Sequence, residues 1–105
     1  MQNKNGLVLL ALDGNKTIAY SYSQVKQPVP GAARKKWGVI EHLFITKNYR
    51  RLGIGEKMYQ EILKWFHSKD IDRVELMVVA KNEAACSFWK KHGFGDFEHT
   101  LYRQI

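Results

Sequence analysis

A chain of 105 residues with 45% apolar and 26% charged side chains has the makings of one globular domain, residues 1–105, and is too short for two independent cores. Its composition excludes disordered and fibrous classes. The opening MQNKNGLVLLALDGNK has an apolar run without a small-residue cleavage site and meets a charge at Asp13. That pattern predicts neither a signal peptide nor a membrane span, and hence a cytoplasmic location. The single cysteine, Cys86, has no partner for an internal disulfide and no Cys or His neighbours at metal-ligand spacing, so a packed thiol and no metal site are expected.

The formal charge of +7 raises the question of a nucleic-acid partner, which its distribution answers better than its total. Seven basic residues between Arg34 and Lys57 face only Glu41 and Glu56 in that interval. A cluster so local suits a compact polyanion better than a long phosphate backbone, and nucleic acid is the least favoured partner.

In chain order, Leu7 to Leu12 reads as a strand that ends at the turn signal Asp13-Gly14-Asn15. Thr17 to Val25 resumes as its hairpin partner. Pro28, Pro30 and Gly31 mark a loop. A third strand, Trp37 to Ile45, alternates so that Val39, Glu41, Leu43 and Ile45 share one face and Ile40, His42 and Phe44 the other. A helix is predicted over about 53–68. At about 100° per residue, Ile54, Met58, Tyr59, Ile62, Leu63, Trp65 and Phe66 fill one half of its wheel and charged or polar residues the other. Arg73 to Ala80 is rich in β-branched residues and reads as a strand buried on both faces. A second helix over about 82–92 carries its own signals: Asn82 as N-cap, Glu83 in the first turn, Lys90, Lys91 and His92 in the last, and Gly93 beyond. A final strand is expected over Asp96 to Arg103. The order βββαβαβ implies an α/β domain with a mixed sheet, parallel where helices intervene.

The stretch YRRLGIGEKMYQ sets Arg50, Arg51, Gly53 and Gly55 at the start of the first helix. A helix N-terminus offers unpaired N–H groups and partial positive charge, and it binds phosphate where side chains leave room. The P-loop pattern GxxxxGK[ST] is absent, and GxGxxG would need a third glycine where Met58 stands. What remains is RxxGxG after a strand, followed at the right distance by N-x-x-A-x-x-F-W-x-K-x-G-F from Asn82 to Phe94.

These segments resemble the GNAT superfamily of acyl-CoA-dependent N-acyltransferases, over roughly residues 37 to 95. The resemblance implies a GNAT-like mixed central sheet and acetyl-CoA as cosubstrate. It implies that backbone N–H groups of Arg51, Leu52, Gly53, Ile54 and Gly55 hold the pyrophosphate beside Arg50 and Arg51. Leu43, Phe44 and Ile45 would pair with the pantetheine arm by β-augmentation, with Asn82 and Trp89 alongside.

Acyl transfer to an amine needs a proton acceptor, oxyanion stabilisation and a proton for the leaving thiolate. The resemblance makes Glu41 the base, in apolar surroundings that would raise its pKa, or else a partner for a cation across the sheet. His42 is the second choice. Trp89 stands where many members have a tyrosine that protonates the thiolate, and an indole N–H is no usable acid. Against that resemblance the sequence reads as a short form, expected to do without the strand and two helices that family members commonly carry before the hairpin and that build the acceptor pocket. Three makers of that pocket stay open: the Pro28–Trp37 loop, a partner subunit, or nothing. The acceptor is a small-molecule or protein amine, and an uncovered sheet edge points to a homodimer. The alternatives are a non-catalytic CoA-binding module and, third, a basic nucleic-acid-binding protein.

Overall fold

The structure, a computed structural model, describes residues 5–105. Strand β1 (Gly6–Asp13) and strand β2 (Lys16–Lys26) form the expected hairpin, closed by Gly14 at φ +61°. β2 pairs antiparallel with β3 (Trp37–Ile45), and β3 pairs parallel with β4 (Val74–Leu76), giving the sheet order β1-β2-β3-β4. A single 3-10 turn, Lys47–Tyr49, leads from β3 towards helix α1 (Ile54–Ser68), and α2 (Glu83–Lys91) follows β4. This is the mixed α/β architecture expected, with both helices inside the anticipated bounds.

Helix α1 lies across one face of the sheet. Met58, Tyr59, Ile62, Trp65 and Phe66 are buried there, as the apolar half of the wheel required. Side chains of this size each contribute about 1.5–3 kcal/mol when removed from water. The sheet receives them by being small where they press hardest. Ala19, Ser21 and Ser23 are almost wholly buried. A Cβ on Gly38 would lie only 2.4 Å from the ring of Phe66. Leu7, Val25 and Ile40 complete the core, with Trp89 of α2 at its edge.

Three expectations need correction. The alternation of β3 breaks at Glu41: Tyr22 pairs with His42, and the next β2 residue, Ser23, pairs with Ile40, so Glu41 is the extra residue of a bulge. Gly38, Ile40, Leu43 and Ile45 therefore turn towards α1, whereas His42 and Phe44 flank Tyr20 on the opposite face. Second, β4 is much shorter than Arg73 to Ala80 and is not buried on both faces. It leaves β3 after Leu76, and Met77 and Val79 are 90% and 72% exposed. Third, no strand forms over Asp96 to Arg103; residues 94–105 carry no regular secondary structure. A strand exists only through its ladder, and among the described residues this segment pairs with no strand.

Candidate active site

The parting of β3 and β4 makes the site. The strands share three rungs, Gly38–Val74, Val39–Glu75 and Ile40–Leu76, and then diverge around a cleft of about 500 Å³. One wall is Glu41 to Phe44, the other is Leu76 to Val79, and Asn82, Ala85 and Trp89 of α2 close the end. Beyond the last rung the backbone groups of the two strands no longer pair with each other across this gap. An extended molecule with amides of its own fits there as a strand does.

The strand that walls the cleft, β3, ends at Ile45 and leads through the 3-10 turn to the glycine turn. Arg51 (φ +64°) and Gly53 (φ +83°) are both left-handed, and Gly53 is the N-cap of α1 without a side-chain cap. The first helical bond runs from the Lys57 N–H to the Gly53 carbonyl, so the N–H groups ahead of it have no intrahelical partner. Successive N–H groups in such a turn form an anion-binding concavity. The two glycines do different work. A Cβ on Gly53 would meet nothing within 4 Å, so its bareness leaves open space outside the helix. A Cβ on Gly55 would lie 3.1 Å from Ile45 Cδ1 and 3.7 Å from the Phe88 ring, so that glycine lets α1 sit close to β3 and α2. Leu52 is 67% exposed at the same turn, and Ile54 opens the helix.

The two arginines also separate. Arg50 Nε donates to the Ile45 carbonyl at 2.9 Å, and its guanidinium lies 5.8 Å from the Phe44 ring, which pins the end of β3 to the turn. Arg51 is exposed and, among the described residues, has no ion-pair partner. It is the freer of the two cations for an anion bound at the turn. Asn82 Oδ1 accepts from the Ala85 N–H at 3.1 Å, the N-cap bond its position predicted, while the residue also lines the cleft.

Glu41 lies on the cleft wall, but its surroundings are polar and exposed, not apolar as its strand neighbours suggested. Gln24 Nε2 donates to its Oε2 at 2.5 Å, and Lys26 Nζ is 4.0 Å away. The bulge is the cause, because it lifts Glu41 out of the alternation that carries Leu43 inward. His42 stands on the same wall, 6.4 Å from the Tyr20 ring. Trp89 is 9% exposed and wedged among Tyr59, Phe88 and Phe94, with ring centroids 5.7, 4.9 and 5.3 Å away. Beside it, burial first and the Glu56 charge second push the Tyr59 phenol above its ordinary value. His92 Nε2 lies 2.6 Å from Glu56 Oε2, tying the end of α2 to the first turn of α1.

Sequence reasoning missed the opposite wall, Met77 to Val79, and the β2 contributors Tyr20, Gln24 and Lys26. Their membership depends on strand register, which no local pattern reveals. The Pro28–Trp37 loop reaches the sheet beside the shared rungs: Arg34 stacks 3.4 Å over the Trp37 ring and pairs with Glu75, which stands opposite Val39. Among the described residues no cluster of His, Cys, Asp or Glu could hold a metal ion, and no helix is long and apolar enough to cross a membrane.

Comparison with known proteins agrees with this geometry. The profile of the acetyltransferase (GNAT) family matches residues 1–94. The probable N-acetyltransferase san of Drosophila melanogaster is 41% identical over 61 residues, 54% of this chain and 33% of that protein. The match thus takes in about a third of the relative's length. A tetramutant of the BH1408 protein from Bacillus halodurans superposes with a TM-score of 0.85 at 25% identity, over 99% of this chain and 69% of that one. The aminoglycoside 6'-N-acetyltransferase AAC(6')-IG of Acinetobacter haemolyticus shares the fold, at a TM-score of 0.78 and 19% identity, over 98% and 72% of the two chains. So does AAC(6')-Iy, determined in complex with a bisubstrate analogue of CoA, at a TM-score of 0.81 and 13% identity, over 98% and 71%.

Proposed function

Because the chain belongs to the GNAT acetyltransferase family, we propose that it transfers an acyl group, in the first instance acetyl from acetyl-CoA, to a primary amine of a small molecule or protein. The observation that carries this reading is one strand serving two features: β3, whose Glu41 to Phe44 wall the cleft beside the parted β4, runs on into the glycine turn with open space at Gly53. An extended amide-bearing arm with a phosphate-rich end is the chemistry such a path accepts.

Leu43, Phe44 and Ile45 would lend main-chain groups to the arm, and Arg51 with the N–H groups of Leu52 to Gly55 would take the pyrophosphate. Arg50 holds the turn in shape through Ile45. Acetyl-CoA supplies the activated carbonyl; the chain's residues orient it and move protons. Glu41 accepts, directly or through water, the proton that the acceptor's ammonium must lose before the neutral amine attacks the thioester carbonyl, and its bond from Gln24 orients the carboxylate. Trp89 packs beneath the cleft without donating an acidic proton, so the proton for the departing thiolate comes from water. An aminoglycoside antibiotic is the acceptor named for one of these fold neighbours. Polycations of that kind suit a chain of charge +7 poorly, and they belong in the assay as a contrast. A cytoplasmic location and a homodimeric assembly are part of the same proposal.

The test is thermal unfolding with and without acetyl-CoA, followed by thiol release across an amine panel. Ligand binding to the folded chain raises the transition temperature, and Glu41→Gln removes turnover while the shift persists. No shift at saturating acetyl-CoA overturns the reading. A shift without thiol release for any amine favours instead a non-catalytic CoA-binding module, the reading supported by a tryptophan at position 89 and a Glu41 already engaged by Gln24 and Lys26.

A further inference from the structure

Helix α1 packs against one face of the sheet and leaves the other with a row of apolar side chains. Leu10 pairs with Tyr20 and Tyr20 with Phe44, so the three stand side by side across the strands. They are 61%, 41% and 45% exposed. The Tyr20 ring lies 5.9 Å from the Phe44 ring and 6.4 Å from that of His42, and all three residues line the cleft.

The carboxylate lies on the same face. Along β2, Ser21, Ser23 and Val25 are buried towards α1, so Tyr20, Tyr22, Gln24 and Lys26 alternate to the open side. Glu41 meets Gln24 and Lys26 there. The bulge in β3 is the cause, since the extra residue sets Glu41 beside His42 and not on the opposite face. The row therefore has electrical ends. At Phe44 the Arg50 guanidinium stands 5.8 Å from the ring. At the other end is Glu41, the one carboxylate among the described residues that line the cleft. Glu41 and Phe44 are about 10 Å apart along the strand, at about 3.3 Å per residue.

We infer that the acceptor is a small arylalkylamine, with one primary ammonium at Glu41 and one aromatic ring stacked on Tyr20 and Phe44. Its nitrogen, once neutral, bonds the thioester carbonyl carbon as the C–S bond breaks, giving an N-acyl amide and free thiol. Glu41 takes the ammonium proton and water returns one to the thiolate. A second ammonium on the acceptor's body would meet Arg50 with no anion to pair it. A peptide fits less well, because the backbone groups of β2 and β3 are taken up by their own ladder and this face presents side chains. The inference rests on the acyl-transfer reading and makes Tyr20 the residue that selects the amine.

Two measurements test it. Calorimetric titration of 2-phenylethylamine into the chain saturated with CoA reads binding without turnover. Thiol release from acetyl-CoA reads kcat and KM for 2-phenylethylamine, putrescine and a short peptide with a free N-terminus. 2-Phenylethylamine is expected to bind and to show the highest kcat/KM. Tyr20→Ala is expected to weaken its binding and raise its KM about tenfold through the lost ring contact, the change falling on KM and not on kcat. Tyr20→Phe, which keeps the ring, is expected to restore both, and the thermal shift with acetyl-CoA shows that each variant is folded. Absent binding of 2-phenylethylamine, putrescine or peptide turned over as efficiently, or a folded Tyr20→Ala with unchanged binding and KM overturns the acceptor assignment and leaves acyl transfer standing wherever thiol is released. Tyr20-dependent binding without thiol release from any amine overturns acyl transfer and leaves the amine site.

Discussion

Substitution of Gly53 separates two effects that the glycine turn combines. With φ at +83° and nothing within 4 Å of the place a Cβ would take, alanine meets strain but no clash. The left-handed region costs a residue with a Cβ about 1–2 kcal/mol. In a domain of this size that lowers the transition temperature by roughly 4–16 °C. Asparagine tolerates the region better, so Gly53→Asn is expected to fold with nearly wild-type stability while its side chain occupies the space the anion needs. Losing one hydrogen bond to a charged group costs about 1.5–3 kcal/mol, which is about a ten- to hundredfold loss of affinity. Calorimetric titration with CoA, paired with thermal unfolding of the ligand-free variants, reads both quantities. Gly53→Asn that folds and binds CoA as tightly as the wild type refutes the assignment of this turn to the pyrophosphate.

Gly38→Ala forces a methyl against a Phe66 ring that is 1% exposed and has nowhere to go; a loss of about 1–3 kcal/mol in urea unfolding is expected, and an unchanged midpoint would contradict the packing. Ser23 is fully buried with its hydroxyl unpaired, so Ser23→Ala is expected to raise stability, by about 1 kcal/mol, in the same assay. The Tyr59 phenol, raised above 10.0 by burial and by Glu56, binds its proton more tightly when folded. Its contribution is complete below the unfolded value and is lost as pH rises through the folded one. Thermal unfolding should therefore show an alkaline loss of stability that shrinks in Tyr59→Phe; an identical alkaline profile would exclude Tyr59 as its source.

The elements legible without coordinates are those whose causes are local. The apolar half-wheel of α1, the Asn82 cap, the Gly93 stop and the Gly14 turn each follow from residues within a few positions of one another, and each stands where expected. The glycine turn belongs to the same class, since left-handed glycine at an N-cap is a property of a short segment. The active-site wall does not. Whether Glu41 points inward depends on a bulge created between β2 and β3, and the sequence pattern alone placed it with Leu43 on one face. Gly55 and Gly53 look alike in sequence, yet only the packing of Ile45 and Phe88 shows that one serves the fold and the other faces open space. The tail over 96–103 has the composition of a strand, but a strand takes its hydrogen bonds from a neighbour. Sequence determined the helices, their caps and the glycine turn, where the partners are near in the chain. Tertiary structure alone decided register, the parting of β3 from β4 and which edge stays open, because those depend on backbone groups distant in sequence meeting in space.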